Sequence, residues 1–291
     1  MLGALHSIIA GSSSVASVVI SIAFMLFFGF AMTRITKLLK LPNVTAYIIT
    51  GILLGPFCLN LVPSTVTNEM EFLADIALAF IAFSTGEFFK FETLKKNGAK
   101  VLIITILEFV LASLLIFCLT YFMLGLDLAF SLVLAALASA TAPASTVMTI
   151  RQTGAKGDFV DTLLQVVALD DVVGLILYSV AISIALAIAP GAGTFNISNI
   201  IIPIATNIVV LLAGALFGVV MKLLMPQKRS TDNRLIILIS LLFAFCGICA
   251  LLDVSPLLGC MSMGMMYINI TNDDKLFKQL NYFSPPILLL F

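Results

Sequence analysis

The sequence predicts an all-α polytopic membrane protein. Three observations carry that reading. Of 291 residues, 61% are hydrophobic and 10% charged, with a mean hydropathy of +1.19, where a soluble domain carries about 25% charged residues. The apolar residues gather into runs, most of them near the roughly 20 residues that a membrane helix needs. The basic residues are distributed among those runs in one strict pattern. Such a composition excludes a water-soluble globule, a disordered chain and a nucleic-acid-binding chain, all of which need far more charge. No basic stretch precedes a short apolar one near the start, so no cleaved signal peptide is expected.

Charge and turn clusters divide the chain into ten segments, each bounded by a local reason. Segment 1, Val15–Thr33, ends where Arg34, Lys37 and Lys40 begin. Segment 2, Val44–Leu61, follows Pro42. Segment 3, Phe72–Phe89, lies between Glu71 and Lys90, and segment 4, Val101–Leu124, between Lys100 and Gly125. Segment 5, Leu128–Ile150, opens after Asp127, whose side chain can cap it. Segment 6, Phe159–Ala189, runs from Asp158 to the loop Ala189-Pro-Gly-Ala-Gly-Thr194. Segment 7, Ile200–Met225, stops at Pro226. Segment 8, Leu235–Leu252, stops at Asp253. Segment 9, Pro256–Ile268, starts with a Ser-Pro pair that supplies a cap and a first-turn proline. Segment 10 opens at Pro285 and reaches the last residue, Phe291.

All fifteen basic residues follow odd-numbered segments. If all ten segments cross, every one lies on a single face. The positive-inside rule makes that face cytoplasmic and places the N-terminus outside. One missed or invented crossing would scatter the basic residues over both faces, so the pattern supports the count. Fifteen acidic residues balance them to a net charge of zero. That zero conceals a segregation, because acids are shared between both faces and the membrane interior. Gly51/Gly55 and Gly214/Gly218 have GxxxG spacing, suited to close packing inside the bundle or to subunit contacts. The five cysteines sit in apolar stretches. With His6 as the single histidine, the Cys246-x-x-Cys249 pair reads as small residues at helix contacts rather than metal or redox chemistry.

Polar groups enter the membrane in segments 4, 5 and 6. Asp170 and Asp171 are adjacent in Ala168-Leu-Asp-Asp-Val-Val-Gly174. An ionised Asp at a helix centre costs about 2.5–3.5 kcal/mol on insertion scales, and a structural reason for two in a row is hard to find. Adjacent helical residues lie about 100° apart, so both can face one cavity. Desolvation and like charge let at least one of them carry a proton at neutral pH, to be released to a competing cation. Segment 5 contains Ser139-Ala-Thr-Ala-Pro-Ala-Ser-Thr146. Pro143 lacks a donor and clashes with the turn before it. Thr141, Ser145 and Thr146 offer hydroxyls to freed backbone groups or to a cavity, and broken helices at membrane depth form ion sites in transporters. Glu108 in segment 4 is a third carboxylate, either an accessory proton site or a neutral group hydrogen-bonded to a neighbouring helix.

These motifs together resemble the membrane domain of the monovalent cation:proton antiporters, the sodium/proton exchanger superfamily. The resemblance runs from about Leu38 to the end. Its carriers are Leu41-Pro-Asn-Val-Thr-Ala-Tyr47 leading to Gly51-Ile-Leu-Leu-Gly-Pro56, then Ala140-Thr-Ala-Pro143, then Leu169-Asp-Asp-Val172. The adjacent Asp pair is similar to the electrogenic bacterial branch. The resemblance implies an inverted-repeat antiporter fold with discontinuous helices and about thirteen spans, two repeats of six around a linker. Dimerisation-domain helices 1–3 would occupy residues 1–97, ion-binding core helices 4–6 residues 98–189, linker helix 7 residues 190–230, and dimerisation helices 8–10 residues 231–291. The transported ions would be H⁺ and Na⁺ (or Li⁺), with no resident cofactor. Asp171 would bind the cation or proton. Asp170 would pair with a lysine in segment 11, and the break around Thr141 and Pro143, with Ser145, would supply oxygens. A homodimer in a lipid bilayer, in a bacterial or archaeal inner membrane, is expected, with no nucleic-acid partner. Two departures stand out. Ala142 replaces a second hydroxyl found in some relatives, and the chain stops in segment 10, so it reads as part of a longer carrier.

An intramembrane aspartyl protease also needs two membrane carboxylates, but from different helices in Tyr-Asp and Gly-x-Gly-Asp motifs, and neither motif occurs. No phosphate-binding loop occurs either. The expectation is therefore a secondary active antiporter and not an enzyme. K⁺/H⁺ exchange is the alternative within the superfamily, and a non-transporting membrane sensor or regulatory subunit the alternative outside it.

Overall fold

The computed structural model describes residues 14–139, 141, 143–188, 198–225 and 231–290. The side chains of Pro143 and Asp171 lie outside the described part, as do His6, Ala142, Lys228 and Arg229. Among the described residues the chain is helical throughout, with no strand.

The helices are α1 (Ser14–Leu38), α2 (Asn43–Leu54), α3 (Ser64–Glu69), α4 (Glu71–Thr85), α5 (Phe91–Phe117), α6 (Leu128–Leu137), α7 (Pro143–Thr153), α8 (Asp158–Ile188), α9 (Ser198–Leu224), α10 (Thr231–Leu251), α11 (Leu257–Thr271), α12 (Asp274–Phe283) and α13 (Pro285–Leu290). A 3₁₀ turn, Gly86–Phe88, continues α4, and a π-helical turn, Cys118–Met123, closes α5. Among the described residues four stretches are long and apolar enough to cross a membrane: Val15–Leu38, Gly98–Met123, Ile201–Leu224 and Asn233–Leu251. They correspond to segments 1, 4, 7 and 8. Segments 2 and 9 give helices of 12 and 15 residues. At 1.5 Å per residue α11 spans about 22 Å, short of the hydrocarbon thickness. It is tolerable there because it is buried among other helices rather than facing lipid.

Capping agrees with the sequence where it can be read. Asp127 Oδ2 accepts the backbone N–H groups of Ala129 and Phe130 at 3.0 and 3.4 Å, starting α6. Ser255 Oγ accepts the Leu257 N–H at 3.4 Å, and Pro256 stands immediately before α11 with helical dihedrals. Two differences matter. α5 begins at Phe91, ten residues before its apolar run, so Lys95 and Lys100 lie within the helix rather than in a loop. The stretch between segments 9 and 10, read from sequence as a connection, is the amphipathic α12. It buries Leu276, Phe277 and Leu280 and leaves Lys275 and Lys278 exposed. Those apolar residues recur at i, i+1 and i+4, a one-sided helical stripe too sparse to register as a membrane run.

The main core lies between α4, α9, α10, α11 and α12. Apolar burial between helices gains little in lipid, so close van der Waals fit must hold them together. Glycines provide it. A Cβ at Gly214 on α9 would collide with the Gly259 carbonyl of α11, and one at Gly218 would lie 2.7 Å from the Met263 carbonyl oxygen. On the other side of α11, Gly264 meets the Phe83 carbonyl of α4, and Gly86 meets the Met261 carbonyl. The backbone of α11 thus touches both neighbours. Ser262 adds a hydrogen bond, its Oγ donating to the Leu211 carbonyl at 2.8 Å, and Phe83 stacks on Phe277 of α12 with centroids 5.0 Å apart. The other GxxxG pair behaves differently: nothing lies within 4 Å of a Cβ at Gly51. A second, smaller core joins α1, α2 and α3 around Leu54, Val62 and Val66.

Candidate functional site

α5, α6 and α8 pack against one another, and α8 also meets α7 and α9. The chain leaves helical geometry between Leu137, the last residue of α6, and Pro143, the first of α7. Proline explains the restart. It cannot donate to the turn before it, it disfavours helical dihedrals in the residue it follows, and its fixed φ suits a first helical turn. Thr141 sits in that break, outside any helix.

Across the break stands Asp170, on the thirteenth residue of α8. It is buried, with 3% of its surface exposed. The Thr141 hydroxyl donates to Asp170 Oδ2 at 2.6 Å, a distance typical of an O–H bond to a charged acceptor. The unwound segment and the unbroken helix therefore meet through one threonine and one carboxylate. Neither of the two ion pairs among the described residues involves Asp170. A buried carboxylate without a cation beside it is costly in a membrane and commonly marks a proton or ion pathway.

The remaining sequence candidates divide. Asp171 follows Asp170 on α8, but its side chain lies outside the described part. Pro143 begins α7, and its side chain is likewise outside it. Ser145 is exposed in the first turn of α7. No hydrogen bond joins it to Asp170, while its carbonyl accepts the Thr149 hydroxyl at 2.8 Å. Glu108 is exposed on α5. Among the described residues no group of three His, Cys, Asp or Glu side chains gathers as a metal centre. The oxygens on hand, one carboxylate and one hydroxyl, are the hard donors that suit a small hard cation. The five cysteines are free.

Sequence reasoning passed over several buried polar groups in the same helices. Thr105 on α5, Ser131 on α6 and Gln165 on α8 each bury a side-chain oxygen with no hydrogen-bond partner among the described residues. Gln165, alone between Leu163-Leu164 and Val166-Val167, was legible as a polar interruption of an apolar helix.

Residues 22–291 match the sodium/hydrogen exchanger transmembrane family. The chain belongs to that family. The exchanger is thus an integral membrane transporter of the cation/proton class rather than an enzyme. Its fold is similar to that of the sodium proton antiporter MjNhaP1 from Methanocaldococcus jannaschii, with a TM-score of 0.66 and 20% sequence identity. The match covers 96% of the exchanger and 68% of that structure. No curated protein matches the exchanger in sequence.

Proposed function

We propose that the exchanger is a secondary active antiporter that moves Na⁺ (or Li⁺) against H⁺ by alternating access, electrogenically, at a site built from Asp170, Asp171 and the break around Thr141. The observation that carries this reading is the 2.6 Å hydrogen bond between the Thr141 hydroxyl and buried Asp170. It joins the interrupted segment to the carboxylate pair, where a bare cation can exchange water for protein oxygens. Asp171 takes the proton or the cation, and the two compete for it. With the site open inward Asp171 releases its proton and accepts the cation, and with it open outward protons displace the cation. Inverted-repeat carriers work by rocking one bundle against another around a fixed site. In this reading residues 98–189, which hold most of α5 and all of α6, α7 and α8, form the moving core. Residues 1–97 and 231–291 form the dimerisation side, residues 190–230 the linker, and two copies make a homodimer. The N-terminus faces outward from a bacterial or archaeal inner membrane.

The test is Na⁺-dependent proton movement in proteoliposomes. Asp171→Asn is expected to abolish it, and Asp170→Asn to weaken it or change the charge moved per ion. Normal exchange by Asp171→Asn would sink the site assignment, and an unchanged current per ion in Asp170→Asn would remove Asp170 from proton carriage.

A further inference from the structure

Away from the carboxylate pair, the end of α9, the start of α10 and the α11–α12 turn enclose a cavity of about 720 Å³. Among the described residues Lys222, Arg234 and Lys275 line it against one carboxylate, Asp273, and Met225 and Ile270 give it an apolar wall. The carboxylate is already committed. Its Oδ2 accepts Arg234 Nη2 and the Tyr267 hydroxyl, and its Oδ1 accepts the Lys275 backbone N–H at 3.1 Å. Arg234 is only 8% exposed, and its buried Nε has no hydrogen-bond partner among the described residues. A buried donor left unmade is expensive. Lys222 and Lys275 are exposed, each without an ion-pair partner among the described residues. The described lining of the cavity therefore carries two positive charges in excess.

We propose that this cavity binds a phosphate group. A phosphate offers several acceptor oxygens in different directions, enough for two ammonium groups at once, and ammonium groups are usual partners for it. The space is many times larger than inorganic phosphate alone, and its wall is partly apolar. It lies where three helices end, which is the level of the membrane surface. Basic pockets between transmembrane helices at that level hold anionic lipid headgroups. An anionic phospholipid is thus the expected source, and soluble phosphate the other.

The experiment follows the thermal unfolding midpoint of the whole chain in non-ionic detergent during titration with phosphatidylglycerol, with inorganic phosphate and with zwitterionic phosphatidylcholine. The wild type is expected to rise to a plateau with phosphatidylglycerol. The Lys222→Gln/Lys275→Gln double variant is expected to need at least about tenfold more lipid for half the effect, as loss of two charge-assisted contacts requires. Both lysines are exposed, so the ligand-free midpoint stays close to wild type. Lys275→Gln alone serves if the double variant does not fold, with about a threefold shift. A response to phosphatidylglycerol but not to phosphate assigns the site to a headgroup, and an equal response to phosphate assigns it to the free anion. No response to either, an equal response to phosphatidylcholine, or identical titrations of wild type and variant would overturn the proposal. None of these outcomes bears on cation exchange at the carboxylate pair.

Discussion

Gly214→Ala and Gly51→Ala make the same chemical change in two GxxxG pairs, with opposite expected results. In an open helix position the added methyl stabilises the helix by about 0.8–1.0 kcal/mol. At Gly51 nothing lies within 4 Å of the new carbon, so α2 receives that gain unopposed. At Gly214 the carbon meets the Gly259 carbonyl, which is backbone and cannot rotate away. Only a separation of α9 from α11 relieves the overlap. A gap of 0.5–1 Å forfeits roughly a quarter to a half of each van der Waals contact along the seam, and overpacking of this kind costs about 1–3 kcal/mol. The net effect of Gly214→Ala is therefore a loss of roughly 0–2 kcal/mol, the overpacking cost less the helix gain, set against a gain of up to about 1 kcal/mol at Gly51. Thermal unfolding of both variants in one detergent reads the difference, with Gly51→Ala at or above wild type and Gly214→Ala below it. A Gly214→Ala variant as stable as Gly51→Ala would show that α9 and α11 do not touch through their backbones.

Further expectations concern the polar contacts. Asp273→Asn strands the Arg234 charge, and because the two side chains are 20% and 10% exposed the cost approaches the roughly 3 kcal/mol lower bound for breaking a buried pair. Asp274→Asn loses only the Lys90 contact, between side chains 44% and 39% exposed, worth at most about 1 kcal/mol. Equal unfolding midpoints for the two variants would contradict that ranking. Thr141→Val deletes the hydroxyl that meets Asp170, a bond worth about 1.5–3 kcal/mol to a charged partner. The Na⁺ concentration for half-maximal exchange is expected to rise at least about tenfold, with Thr141→Ser near wild type. An unchanged value for Thr141→Val would take Thr141 out of the site.

The fold class was legible because lipid imposes a simple rule: apolar runs become helices, and charge marks their ends. The cap at Asp127 was legible for a local reason, since it depends on a residue and its immediate neighbours. The adjacency of Asp170 and Asp171 was visible as a cost that an ordinary span would not bear. What could not be read depends on distant partners. The sequence could bring the Thr141 break and the Asp pair to one site, but not say that the Thr141 hydroxyl bonds Asp170, 29 residues on. Gly51 and Gly214 have identical spacing motifs, yet only Gly214 has another helix against it. Arg234 looks like any loop cation in sequence, and becomes a buried group only because Tyr267 and Asp273 close over it. α12 escaped because its apolar stripe is three residues wide and lies beside charges, the pattern of a helix resting at an interface rather than crossing.

The double contact of α11 has a consequence for the order in which the chain assembles. Its two neighbours are both synthesised before it: α4 ends at Thr85 and α9 at Leu224, ahead of Leu257 where α11 begins. Until α11 arrives, both present bare backbone grooves to lipid, and Phe83 waits for Phe277. The main core therefore cannot close during synthesis of the first two hundred and fifty residues. The early helices have to be held in the membrane by their own apolar length. α1, α5, α9 and α10 have that length, while α4 does not and depends on a partner made after it.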